Sequence, residues 1–139
     1  MAGVDYPGAR ELGASAHTAA QAAAALGVSV AQIVKSLVFL TRDDPPAPVL
    51  VLCSGASRVD EAALGVVKAR AETVREATGT SIGGVAPYGH PAPLHTIVDE
   101  DLMAFDVVWA AAGTATRVFP LTPAELLART GGTVARVAP

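Results

Sequence analysis

Two apolar runs, separated by a stretch that can join neither, set the limits on what this chain can fold into. "VLVLC" (49–53) is five consecutive apolar residues, the pattern of a strand buried on both faces. "IVKSLVFL" (33–40) is nearly as apolar but carries Lys35 and Ser36 in its middle. Between them "TRDDPPAP" places Pro45, Pro46 and Pro48, which lack a backbone donor and cannot continue a ladder. A hairpin of 34–40 against 49–53 is therefore expected near the centre of a core. Lys35 is the anomaly, because an ammonium group is costly to bury without a partner. Either its stem packs at an exposed edge and its head reaches water, or an anionic or carbonyl-rich group meets it there.

Helices announce themselves by their caps. Thr18 with Gln21 three residues on opens a helix in "HTAAQAAAALG", and Gly27 stops it. Ser29 with Gln32 repeats the signature and predicts a short second helix leading into the Lys35 strand. Residues 59–78 read as helical, in one or two pieces, with Ala62, Ala63, Val66 and Val67 as apolar positions and Gly79 as the stop. "SIGGVAPYGHPAP" is a loop by composition. Strands are expected at 94–99, 106–112 and 117–121. Thr122, Pro123, Glu125 and Gly131 mark a last helix, with "TVARV" as a final strand. Half of the 139 residues are hydrophobic, enough to pack one core in one domain spanning 1–139. Strands and helices without strict alternation favour an α+β domain built on a mixed, largely antiparallel, barrel-like sheet surrounded by helices.

Charge and composition narrow the function. At a formal charge of −3 the chain is not built to coat nucleic acid, so any contact with RNA has to be local and DNA is not an expected partner. Eight of the ten basic residues are Arg, and the two lysines are Lys35 and Lys68. Arg and Lys are not interchangeable, so a lysine kept inside an apolar run points to a need for a compact ammonium. Cys53 is the single cysteine, and its apolar flanks predict a buried thiol in a reducing cytoplasm. No apolar stretch is long enough to span a bilayer, and the first residues lack the pattern of a secretory signal. His17, His90 and His95 have no metal-ligand spacing, so neither a metal nor another cofactor is expected. No GxSxG elbow, phosphate loop or GxGxxG is present, and nothing near Cys53 in sequence lowers its pKa, so no covalent mechanism is expected. "DEDL" (99–102) reads as the start of a helical turn, where negative charge suits the dipole.

Two features remain as candidate chemistry. Lys35, with Ser36 beside it, could donate to a carbonyl, phosphate or ribose oxygen at the mouth of a pocket. In Gly83-Gly84-Val85-Ala86-Pro87, adjacent glycines let a backbone approach a ligand and present N–H groups to a developing oxyanion, with Pro87 fixing the far end. The same loop also suits an ordinary Gly-Pro turn. His90 follows it as a base, a substrate contact or a solvent-exposed loop residue.

Taken in order, "TAAQAAAALGVSVAQIVKSLVF", "VLVLCSG", "GTSIGGVAPYGH" and "WAAAGTATRVFPLTPAELLARTGG" resemble the YbaK-type aminoacyl-tRNA deacylases, free-standing relatives of the editing domain of bacterial prolyl-tRNA synthetases. The resemblance covers roughly residues 15–134. It implies a trans-editing hydrolase that cleaves the ester joining a wrong, small amino acid to tRNA, with proline tRNA as the expected acceptor. It places the family lysine on Lys35 and the GxxxP loop on Gly83 to Pro87, with Gly83 and Gly84 catalytic. Ser36, Val85, Ala86, Pro87, His90, Gly113 and Thr114 would contact substrate. The implied partners are the aminoacyl-tRNA acceptor end and a synthetase that lends tRNA affinity. Two departures stand out. The family serine and aspartate fall on Ala111 or Ala112 and on Val118, and Thr114 stands where some relatives carry histidine. Only about a dozen irregular residues precede the first helix, where relatives carry a further one. The alternative is a catalytically inactive module of the same fold that binds a nucleotide, an RNA end or a protein.

Overall fold

The structure is a computed structural model that describes residues 6–13 and 16–139. Its centre is the expected hairpin. Strand β2 (Ile33–Thr41) pairs antiparallel with β3 (Pro48–Ser54) in unbroken register from Val34 opposite Ser54 to Leu40 opposite Pro48. Before it come β1 (Arg10–Glu11) and helix α1 (Ala19–Leu26), closed by the Thr18–Gln21 capping box and Gly27 at φ 71°. The segment preceding α1 is therefore not wholly irregular, since β1 joins the sheet; residues 1–5, 14 and 15 lie outside the described residues. The Ser29–Gln32 box does form, but over a single 3₁₀ turn, Val30–Gln32, since β2 begins at the next residue.

The region 59–78 departs from its helical reading. It folds as α2 (Glu61–Leu64), β4 (Val66–Lys68) and α3 (Ala71–Thr78). Gly65 at φ 68° ends α2 after one turn. The β-branched Val66 and Val67 then pair with the end of β2, and Val66 is buried against Phe39. Tertiary pairing overrides the helical spacing here. Beyond it lie β5 (His95–Asp99), a 3₁₀ turn at Glu100–Ala104 where a helical turn was expected, β6 (Val108–Ala111), β7 (Arg117–Leu121), α4 (Pro123–Thr130) and β8 (Thr133–Ala135).

The sheet runs β1-β7-β6-β2-β3-β5-β8, with β4 on β2 as well. It is mixed as expected: four ladders are antiparallel and three, β2–β6, β3–β5 and β5–β8, are parallel. Alternation along the hairpin sends Val34, Val38, Leu50 and Leu52 to one face, under Val74 of α3 and Leu126 of α4. Phe39, Val49, Val51 and Cys53 pack on the other, with Val66 and Val137.

One edge of β2 is incomplete. β3 covers its first edge along the whole ladder. On the second edge β6 meets only Ile33 and Val34, and β4 meets only Phe39 to Thr41. The stretch from Lys35 to Val38 has no second neighbour. The bonds at the two ends of the hairpin, Thr41 N–H to Ala47 O at 2.9 Å and Gly55 N–H to Ile33 O at 2.7 Å, show that odd-numbered residues of β2 face β3. By alternation the even-numbered ones face the second edge. Val34 and Leu40 are paired there, and the Phe39–Lys68 pair aligns Val38 C=O with Ala69 N–H; Ser36 turns its N–H and C=O, and Val38 its N–H, into the gap.

Candidate functional site

The gap is a slot, and it lies where Lys35 breaks the apolar run. A cavity of about 410 Å³ extends towards β4 and includes Lys35, Arg58, Lys68, Val74 and Val85 in its lining. A smaller one, about 210 Å³, extends towards β6 and includes Gly83, Trp109, Ala111 and Val118. Both share Lys35, Ser36, Leu37, Ile82 and Val85, so the open edge of β2 and the glycine loop form a common wall. The larger cavity carries three cations, Lys35, Arg58 and Lys68, against one carboxylate, Glu61. A chain that is acidic overall thus has a basic spot at its slot, suited to a local anion. Arg58 and Trp109 were not expected here from the sequence; they are brought in by the turn after β3 and by the β2–β6 pairing, neither of which has a local signal.

Lys35 is met by a carbonyl, one of the two readings left open. Its ammonium donates to Ser57 O. That carbonyl is held by a braced turn. The buried Asp99 carboxylate accepts from Ser54 N–H at 2.9 Å and from Asp101 N–H at 3.0 Å. Ser54 Oγ donates to Ala31 O at 2.8 Å, and Ser57 N–H donates to Ser54 O at 3.0 Å. An ammonium has three protons, so donors remain for a ligand. Cys53 stands directly opposite Lys35 in the ladder. Burial pushes its thiol up to about 11, against an opposing pull from Lys35, and nearby Asp99 pushes the same way as burial. It is a protonated thiol at neutral pH, and no thiolate nucleophile arises there. Ser36 Oγ is buried without a hydrogen-bond partner.

The glycine loop divides the expected site. Gly83, at φ 93°, and Val85 line the slot, and their N–H groups donate to no acceptor among the described residues. Gly84 donates to Ser81 O at 3.0 Å, so its N–H is committed within the turn. A Cβ there would stand 3.1 Å from the Thr114 backbone, so glycine is what allows the loop to lie against Gly113–Thr114. Ala86, His90, Gly113 and Thr114 line a separate cavity of about 330 Å³ behind the loop, with Tyr6, Tyr88 and Arg117. Pro87 is buried and lines a further recess with Tyr88 and Arg129. Ala111, not Ala112, occupies the slot with Val118; Ala112 opens on the rear cavity.

His90 supports the loop from behind. Its Nε2 lies 2.7 Å from Ala86 O, and a carbonyl only accepts, so Nε2 carries the proton. Burial lowers its pKa from the ordinary 6.5, with the Ala86 contact opposing in part. A depressed folded value makes the unfolded chain the better proton acceptor. The resulting stability is complete above 6.5 and is lost as pH falls through the folded value. Thermal melts between neutral pH and pH ~5 should therefore fall more steeply for the parent than for His90→Gln; parallel profiles would contradict this.

Among the described residues no group of His, Cys, Asp and Glu is arranged to hold a metal, and no helix is long and apolar enough to cross a membrane.

The model of the aminoacyl-tRNA editing domain family matches residues 14–128. The uncharacterized protein YwhH of Bacillus subtilis (strain 168) is 34% identical over 122 residues, covering 84% of this chain and 76% of that one. A crystal structure of a proposed trans-editing enzyme for prolyl tRNA synthetase superposes with a TM-score of 0.86 at 46% identity, over 94% of this chain and 85% of the other. A scaffold protein used for presenting grafted linear epitopes superposes at 0.87 with 41% identity, over 94% and 86%.

Proposed function

The chain belongs to the aminoacyl-tRNA editing domain family, and from that premise we propose that it is a trans-editing deacylase. It hydrolyses the ester joining a small wrong amino acid, of the size of alanine, serine or cysteine, to the 3′ end of a tRNA in the cytoplasm. Proline tRNA is the first acceptor to try, given the neighbour proposed to work with prolyl tRNA synthetase. The observation that carries this reading is the Lys35 ammonium, held by the Ser57 carbonyl in a slot that it shares with the glycine loop.

The chemistry follows from that arrangement. The terminal nucleotide's phosphate or hydroxyl, or the ester carbonyl, takes the free donors of Lys35, which offsets the desolvation of the ammonium. The N–H groups of Gly83 and Val85 polarise the ester carbonyl and stabilise the oxyanion. Water adds to the carbonyl carbon, the bond from that carbon to the ribose oxygen breaks, and a proton from the attacking water ends on the ribose oxygen. No protein nucleophile takes part; positioning and electrostatics supply the rate. With Ala111 and Val118 in place of the family serine and aspartate, the smaller cavity limits its occupant by size. The chain is acidic overall, so a synthetase is the natural source of further tRNA affinity.

Incubation with tRNA carrying alanine, serine or cysteine on proline, alanine and cysteine acceptors tests this. Release of the free amino acid above the spontaneous rate is expected for at least one pairing. Binding of the acceptor end without release from any of them would make the protein a recognition module instead.

A further inference from the structure

Ser36 leaves its backbone N–H and C=O, and Val38 its N–H, facing the slot, and Ser36 Oγ is buried without a partner beside them. Native interiors leave few such groups unpaired, and open strand edges are normally covered. The free edge is four residues long, about 13 Å, bounded by β6 and β4. That is shorter than a typical strand of about five or six residues, so a partner protein's strand does not fit between its neighbours. A group of one residue with a sugar attached does.

An aminoacyl ester has the required pattern: an ammonium, a Cα and a carbonyl, the donor and acceptor of a single strand residue. We propose that the open edge of β2 recognises the aminoacyl group as a one-residue strand. The substrate's α-ammonium donates to Ser36 C=O, and its ester carbonyl accepts from Ser36 N–H. This double exchange with one residue is what a closely spaced antiparallel pair makes. A carbonyl oxygen has a second lone pair, which is left for the glycine loop. Val38, two residues along the same edge, meets the ribose hydroxyls. The pairing reads chirality as well. An L side chain falls on the face of the Ser36 side chain, the interior face of Val34 and Val38. A D side chain falls on the face of Lys35.

This assignment rests on the deacylase reading but is tested apart from it. The isotopically labelled full chain is titrated with 3′-(L-alanylamino)-3′-deoxyadenosine, an amide analogue of the ester that is not hydrolysed. The Ser36 and Val38 amide resonances should shift and their hydrogen exchange should slow. The N-acetyl and D-alanyl analogues should each bind about ten-fold more weakly or worse, the worth of one charge-assisted hydrogen bond. Binding that perturbs the glycine loop but leaves both amides unmoved, equal affinity for the D-alanyl analogue, or no binding at millimolar probe would each overturn the assignment. Release of alanine from tRNA with no response at Ser36 would retain the deacylase and remove the strand pairing. A response at Ser36 without release from tRNA would do the reverse.

Discussion

Lys35→Ala is expected to lower the rate of ester hydrolysis by about 10²–10³-fold, the usual loss on removing one donor to a developing oxyanion in a water-poor site. The fold should survive. β2 and β3 stay paired through backbone, and the Lys35 side chain is not part of either main core cluster. The Ser57 carbonyl loses its ammonium but lies in a half-exposed turn where water can replace it, so stability should fall by about 1 kcal/mol or less. Lys35→Arg is the sharper variant. A guanidinium keeps the charge but is planar and bulkier, and does not reproduce a point donor held by one carbonyl. It should remain well below the parent. Initial rates on a mischarged tRNA, with a melting curve for each variant, separate the two effects. Full activity in Lys35→Ala would remove the lysine from the mechanism.

Gly55→Ala should give the largest loss of stability of any single methyl addition to the slot's supports. A Cβ at Gly55 would stand 2.4 Å from Val30 O, 3.1 Å from Ala19 Cβ and 3.2 Å from Ile33 Cβ. The nearest atom is backbone of the 3₁₀ turn, which cannot swing aside as a flexible side chain could. Overpacking of this kind costs about 1–3 kcal/mol, sometimes more. For a chain of this length that lowers the melting temperature by roughly 3–10 °C. The damage should reach the chemistry too, because Gly55 N–H donates to Ile33 O and the same turn carries the Ser57 carbonyl that holds Lys35. Activity at a temperature where the variant is folded should therefore drop further than the folded fraction explains. An unchanged melting curve would mean that α1 and the 3₁₀ turn yield more readily than their packing implies.

Much of this was written locally. The capping boxes at Thr18, Ser29 and Thr122 each formed, because a cap needs only residues three apart. The hairpin followed from two apolar runs and a proline-rich break. The reading failed at Val66 and Val67, where helical spacing within the segment lost to a ladder with residues about twenty-five positions away. No local signal told that Lys35 and Gly83 would line one cavity and His90 and Thr114 another on the far side of the loop.

By itself the sequence determined that a lysine enters a buried hairpin, that a glycine-rich loop follows it in the chain, and that Cys53 is a buried thiol, since burial and chain stiffness are properties of neighbouring residues. Only the tertiary structure decided what the lysine meets and why a slot is there. Both answers depend on which strands run short beside β2: β6 stops at Val34, β4 starts at Phe39, and the four residues between them are left open because register is settled by packing across the sheet rather than along the chain.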